Sequence, residues 1–192
     1  KRAAAGVADR HKGVLAAEDE YKASVDELVF RSTVTWDDIG GMEELKGSLK
    51  YAMGLTMAKQ PDGVRLDSPS RFLLYGPPGT GKTLLAAACS NMLGATFFNV
   101  KASDLLSKYF GESTKLISAL YARARSEGDV GASLIFIDEF ESLCRKSSGD
   151  DSGAERRILS TFLAELDGLE EKGQVTKVIT IAATNHPWDI SE

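Results

Sequence analysis

At 192 residues the chain has room for one domain with a full core and an appendage, and its 43% hydrophobic and 27% charged residues are ordinary globular values. A net charge of −5 argues against general affinity for nucleic acid or an anionic membrane, and no apolar run approaches the length of a transmembrane helix. The only two cysteines, Cys89 and Cys144, lack metal-ligand spacing, so a buried reduced thiol is a better reading of Cys89 than a functional one.

The chain opens on Lys1 rather than Met and reads as a fragment, so the lack of a signal peptide says little. Residues 1–12 are small and polar without a period and suggest a disordered or tethered arm. From Val14 to Phe30, apolar residues recur at Val14, Ala17, Tyr21, Val25 and Leu28, which predicts a surface helix. Its acidic residues form a solvated face or, as the sharper alternative, a partner-binding one. Arg31 to Gly41 has a β-branched start and a double glycine, a lead-in segment and not a helix. Glu43 to about Lys59 predicts a helix with Leu45, Leu49, Ala52 and Met53 on one face, ended by the turn Pro61-Asp62-Gly63.

Arg71 to Tyr75 is a short apolar strand, and Lys82 onward is a strong helix former with Leu85, Cys89 and Met92 on its apolar face. Between them, Gly76-Pro77-Pro78-Gly79-Thr80-Gly81-Lys82-Thr83 fits the phosphate-loop pattern G-x-x-x-x-G-K-[ST] at every fixed position. The glycines let successive backbone N–H groups turn inward around phosphate oxygens, and the helix start adds partial positive charge. Lys82 would reach the β/γ-phosphates and the Thr83 hydroxyl would hold Mg²⁺.

Downstream, Ala95 to Val100 predicts a second strand, and Ser103-Asp104 caps a short turn that runs to Gly111. Ser113 to Arg125 predicts a helix with Leu116, Ile117, Leu120 and Ala124 inward. Ser133 to Ile137 is apolar without alternation, as expected of a strand covered on both faces. Ser147 to Gly153 reads as a flexible loop, Ala154 to Leu169 as a helix with Ile158, Phe162, Leu166 and Leu169 aligned, and Lys177 to Ala182 as a fourth strand. Alternating strands and helices predict an α/β fold with a parallel sheet.

Asp138 and Glu139 follow the third strand, and ligands of open α/β sheets lie at the carboxyl ends of strands. Asp138 would then bind Mg²⁺ directly or through water, and Glu139 would orient and deprotonate an attacking water. Asn185 ends the fourth strand at the same edge. It could hydrogen-bond the γ-phosphate or its water, or equally cap a turn.

These motifs resemble the AAA ATPases, closest to the meiotic group of katanin, spastin, fidgetin and the ESCRT-disassembling vacuolar sorting ATPase, over about Val34 to Glu192. Trp36-Asp37-Asp38-Ile39-Gly40-Gly41 is similar to the family's lead-in, which lies against the adenine. Gly76 to Thr83 resembles Walker A, Leu134 to Glu139 Walker B, and Ala183 to Trp188 sensor 1. Ser107 to Ser113 resembles the first pore loop, with Tyr109 where Trp is usual; Phe140 stands where Ile is common after the Walker B pair.

The resemblance implies a P-loop NTPase large subdomain over 34–192, preceded by an arm and helix, 1–33, as linker. It implies ATP contacts from Asp38, Gly40, Gly76, Pro77, Pro78, Gly79, Thr80, Gly81, Lys82, Thr83 and Leu84. It further implies Mg²⁺ at Thr83 and Asp138, catalysis by Lys82, Glu139 and Asn185, and a substrate grip by Lys108, Tyr109 and Phe110. Arginine fingers, a fifth strand and a helical lid are expected beyond Glu192. The implied function is a hexameric, cytoplasmic motor, with the nucleus as alternative setting, that threads a polypeptide to remodel, unfold or sever a protein assembly.

Two other functions compete. A non-hydrolysing nucleotide-binding scaffold would need a damaged catalytic set, but Asp138, Glu139 and Asn185 are all present. Nucleic-acid remodelling is disfavoured by the acidic charge and the aromatic pore loop. Severing acidic tubulin tails should need a basic pore. Arg145, Lys146, Arg156 and Arg157 lie near the expected second pore loop, but Asp150, Asp151 and Glu155 dilute them. The protein substrate therefore stays open, and neither nucleic acid nor direct membrane insertion is expected.

Overall fold

The computed structural model describes residues 21–58, 69–108, 112–128, 131–144, 152–171 and 177–190. Four parallel strands carry the fold: β2 (Arg71–Tyr75), β3 (Thr96–Lys101), β4 (Ser133–Asp138) and β5 (Val178–Thr184). A two-residue strand, β1 (Val29–Phe30), pairs antiparallel with β3, giving the sheet order β1-β3-β4-β5-β2. β2 and β5 are in register from Arg71 opposite Thr180 to Tyr75 opposite Thr184.

Strict side-chain alternation divides β4 between two cores. Leu134 and Phe136 join one cluster with Leu49, Met53, Leu85, Cys89, Ile179 and Ile181, under α2 (Glu43–Met57) and α3 (Lys82–Leu93). Ile135 and Ile137 join the other with Phe98, Leu116, Leu120, Tyr121, Ile158 and Phe162, under α5 (Ser113–Gly128) and α7 (Ser152–Glu171). Burial on both faces explains why β4 reads as an unbroken apolar run. It also fixes which ends of the strands carry polar residues: Asp138 and Asn185 follow apolar stretches at the carboxyl edge.

The predicted helix through Phe30 is overturned. Residues 21–26 are helical (α1), a turn follows, and Val29–Phe30 is strand. The Asn99 N–H donates to Leu28 O at 3.1 Å, and Phe30 meets Phe97 edge-on at 4.7 Å. Tertiary pairing along the β3 edge outweighs the helical period there. Over 21–26 the expected surface helix holds: Tyr21 and Val25 face the α5 core, whereas Lys22, Ala23 and Asp26 are exposed. Residues 21–30, set apart as a linker by the sequence reading, thus pack continuously with the rest.

Smaller differences have local causes. The expected turn at Ser103-Asp104 is a helix, α4 (Ala102–Lys108), because burying Ala102 and Leu105 favours a helical repeat. α7 begins at Ser152, so Gly153 is helical and not loop. On α3, Leu85 and Cys89 face the core but Met92 does not; on α2, Leu49 and Met53 are buried and Leu45 is exposed. The arm at 1–12, the turn at 61–63 and the loop at 147–151 lie outside the described residues.

Candidate nucleotide site

The site begins with β2, which is pinned to β5 and cannot twist away. Its continuation is held too: the Gly76 N–H donates to Thr184 O at 3.3 Å. Gly79 and Gly81 have φ of 77° and 89°. A Cβ on either would meet nothing within 4 Å, so glycine is required for backbone conformation and not for space. Thr80 Oγ1 closes the loop on Pro77 O at 2.9 Å. Pro77, Pro78, Gly79 and Thr80 are exposed, as are Thr83 and Leu84 in the first turn of α3.

Lys82 is the first residue of α3. Its ammonium donates to Gly76 O at 2.8 Å, Pro77 O at 3.0 Å and Asn185 Oδ1 at 2.8 Å. One side chain therefore ties the phosphate loop to the end of β5. The turn after β5 is capped by Thr184, whose Oγ1 accepts the His186 N–H at 3.0 Å, while the Asn185 carbonyl goes to Lys82.

Asp138 ends β4 opposite Lys101, and its Oδ1 accepts the Glu139 N–H at 2.9 Å. Glu139 has φ of 55°, a left-handed conformation that costs a non-glycine residue on the order of 1–2 kcal/mol. The bend is stabilised from both sides. The Phe140 N–H donates to Ala183 O at 2.9 Å, and the Ser142 N–H, in the short helix α6 (Glu141–Cys144), donates to Glu139 O at 2.9 Å. Ser103 Oγ then donates to Glu139 Oε2 at 2.7 Å. The sequence reading missed Ser103 because its place in a helix start looked like a local cap. Only the β3–β4 pairing puts it across from Glu139.

Trp36–Asp38 is a short 3-10 turn. The Asp38 carboxylate accepts the Thr35 N–H at 2.7 Å and the Thr35 hydroxyl at 2.8 Å. The Thr35 backbone N–H, and then its hydroxyl, hold this carboxyl below its ordinary range. Asp38 thus uses its charge to close the turn. Gly40 follows, exposed. Lys108 ends α4, whereas its side chain, Tyr109 and Phe110 lie outside the described residues.

The donor set suits Mg²⁺. Among the described residues no group of three or more His, Cys, Asp or Glu could hold a metal. An Asp138 carboxylate and the Thr83 hydroxyl would leave most of a Mg²⁺ coordination shell to phosphate oxygens and water, as that ion prefers. Cys89 stands apart: burial pushes its thiol up to about 12. A cleft of about 830 Å³ beside Tyr21, Lys115 and Ala119 shares no residue with the phosphate loop. No helix among the described residues is long and apolar enough to cross a membrane.

Comparison with known proteins agrees with this architecture. The family described as "ATPase family associated with various cellular activities (AAA)" matches residues 72–192. Cell division protein C of Sulfolobus acidocaldarius is 39% identical over 175 residues, 89% of this chain and 46% of that protein. The human katanin p60 ATPase-containing protein of the A-like 1 type is 42% identical over 184 residues, 91% of this chain and 36% of that protein. The FIGL-1 AAA domain solved in complex with ADP superposes with a TM-score of 0.75 at 34% identity, covering 91% of this chain and 57% of that one. A structure described as "Structural Basis for Katanin Self-Assembly" gives 0.70 at 33% identity, covering 89% and 54%. The chain spans less than half the length of the curated relatives it matches.

Proposed function

The chain belongs to the AAA family of ATPases, and from that premise we propose that it binds ATP with Mg²⁺, hydrolyses it, and serves as one subunit of a hexamer that threads and remodels, unfolds or severs a protein assembly. The observation that carries this reading is the Lys82 ammonium spanning Gly76 O and Asn185 Oδ1, with Asp138 and Glu139 at the end of β4, the strand on the other side of β5. The ADP named with the 34%-identical FIGL-1 domain supports the ligand class, and the katanin self-assembly structure supports an oligomer.

In this reading the loop N–H groups and Lys82 take the phosphates, and each oxygen now bonded to Lys82 is exchangeable for a phosphate oxygen. Thr83 and Asp138 hold Mg²⁺, which neutralises charge on the phosphate oxygens when bound. Glu139 accepts the proton of the attacking water as its oxygen bonds to the γ-phosphorus and the ADP oxygen leaves. Asn185 orients that water or the γ-phosphate. An arginine from the neighbouring subunit stabilises the charge of the transition state. Lys108, Tyr109 and Phe110 grip the polypeptide.

Calorimetry tests the binding half. Lys82→Ala should abolish detectable ATP binding, since the phosphates lose their main cation. Glu139→Gln should keep binding and lose turnover, since it loses only a base. Wild-type-like affinity in both variants, or unimpaired hydrolysis by Glu139→Gln, would overturn the assignment.

A further inference from the structure

We infer that Lys46 is a positioning residue for the nucleoside half of the ligand, acting through the Ile39 carbonyl. This rests on the proposed function and on the nucleotide contacts at Asp38 and Gly40 that the family resemblance implies. Lysine is almost never fully buried without partners. Yet Lys46, in the second turn of α2, keeps only 6% of its surface exposed. Its ammonium donates to Ile39 O, seven residues back, and to Glu43 Oε1 at 2.9 Å.

The loop that it closes needs closing. Gly41 and Met42 are both left-handed, with φ of 69° and 57°, and Met42 adopts that conformation without the freedom of glycine. No side chain caps the start of α2 at Met42. The bond from Lys46 is therefore the side-chain tie across Gly40-Gly41-Met42. The far side of the segment is fixed to α3, the helix that the phosphate loop feeds. The Asn91 side chain donates to Val34 O at 2.9 Å, and Ile39 is buried in the cluster that contains Leu85 and Ala86. Lys46 holds this strip at a set height beside α3, so any base or ribose resting on Asp38–Gly40 depends on it. Phosphates on Gly76 to Thr83 do not.

That asymmetry gives the test. Affinities for Mg·ATP and for inorganic tripolyphosphate with Mg²⁺ are measured by calorimetry on the 192-residue chain. Lys46→Met keeps the stem and removes the donor. ATP affinity should fall about tenfold, the scale of a lost bond to a charged donor, with tripolyphosphate affinity unchanged. Lys46→Arg should recover most of the loss. Glu43→Gln, whose amide oxygen can still accept from Lys46 and which leaves the bond to Ile39 in place, should change neither affinity. A purely structural role would lower both affinities together, and that result, or an unchanged ATP affinity, overturns the inference.

A second measurement does not need Lys46→Met to fold. In Trp188→Phe, Trp36 is the one tryptophan left, and it lies in the turn beside Lys50. Saturating ATP should shift its emission and saturating tripolyphosphate should not. Equal responses to both would sink the idea. If the unmodified chain binds neither ligand, the nucleotide reading itself fails; if it binds ATP but Lys46→Met keeps the full ATP-over-tripolyphosphate preference, only this inference fails.

Discussion

Ser103 and Glu139 show how much of the chemistry is set by single contacts. Glu139 sits on a strained backbone, and one of its carboxylate oxygens is held by the Ser103 hydroxyl at 2.7 Å. A pinned carboxylate presents its other oxygen in one direction, which is what proton abstraction from a positioned water requires. Ser103→Ala should therefore leave ATP affinity unchanged and lower turnover by about tenfold, since small misplacements of a base cost much in rate. Steady-state phosphate release at saturating ATP checks it; an unchanged rate would show that the bond is incidental. The two cysteines give a second residue-scale prediction. Cys89 is fully buried with its thiol raised to about 12, and burial, then the nearby Glu141 charge, raises Cys144 as well. The thiolate is the reactive form, and a raised pKa means that deprotonation only begins well above neutral pH. At pH 8 neither cysteine should react with a thiol reagent in the folded chain, and both should react in denaturant.

At the scale of elements, the N-terminal segment is the instructive case. Val25, at 1% exposure, inserts into the core beneath α5, and Arg123 reaches back to Asp26 and to Glu127. Val25→Ala should destabilise the fold by about 2 kcal/mol, from lost burial plus a small cavity, read as a lower midpoint in urea. An effect near zero would mean that α1 only rests on the surface. Sequence pattern revealed β2, β4, β5, α5 and the phosphate loop because each is specified by its own residues: an apolar run, a 3.6-residue period, a fixed glycine spacing. It failed where the decision was made elsewhere in the chain. β1 is two residues long and exists because β3 offers an edge. Ser103 read as the cap of a turn and Lys46 as an ordinary polar helix residue, and their partners lie at the end of β4 and across a double left-handed turn. The parts of the site that come from one stretch were legible, and those that join two stretches were not.

For the whole molecule, the question is what the residues gathered around the phosphate loop can do alone. Lys82, Thr83, Asp138, Glu139 and Asn185 gather at one sheet edge, whereas the arginines with described contacts are engaged in structural pairs. Arg71 pairs with Asp167, Arg123 with Asp26 and Glu127, and Arg125 with Glu165. In the proposed function an arginine of the neighbouring subunit joins this set. Such an arginine is worth roughly 10³–10⁵ in rate, so a site that meets none turns over slowly. The molecule carries a net charge of −5, which opposes casual association. Against that, β2 pairs only with β5 among the described strands, and Leu73 and Tyr75 on it are 45% and 70% exposed. An edge of this kind invites irregular pairing, not ring formation. The 192-residue chain should accordingly bind ATP and hydrolyse it slowly at every protein concentration. Salt should separate the two modes of contact. Screening the charge should promote edge pairing through β2 without raising turnover, and Leu73→Lys should suppress the light scattering while leaving ATP affinity intact. A specific activity that is high and independent of concentration, in a chain that light scattering shows to be monomeric, would place the whole catalytic apparatus within one chain and remove the need for a second.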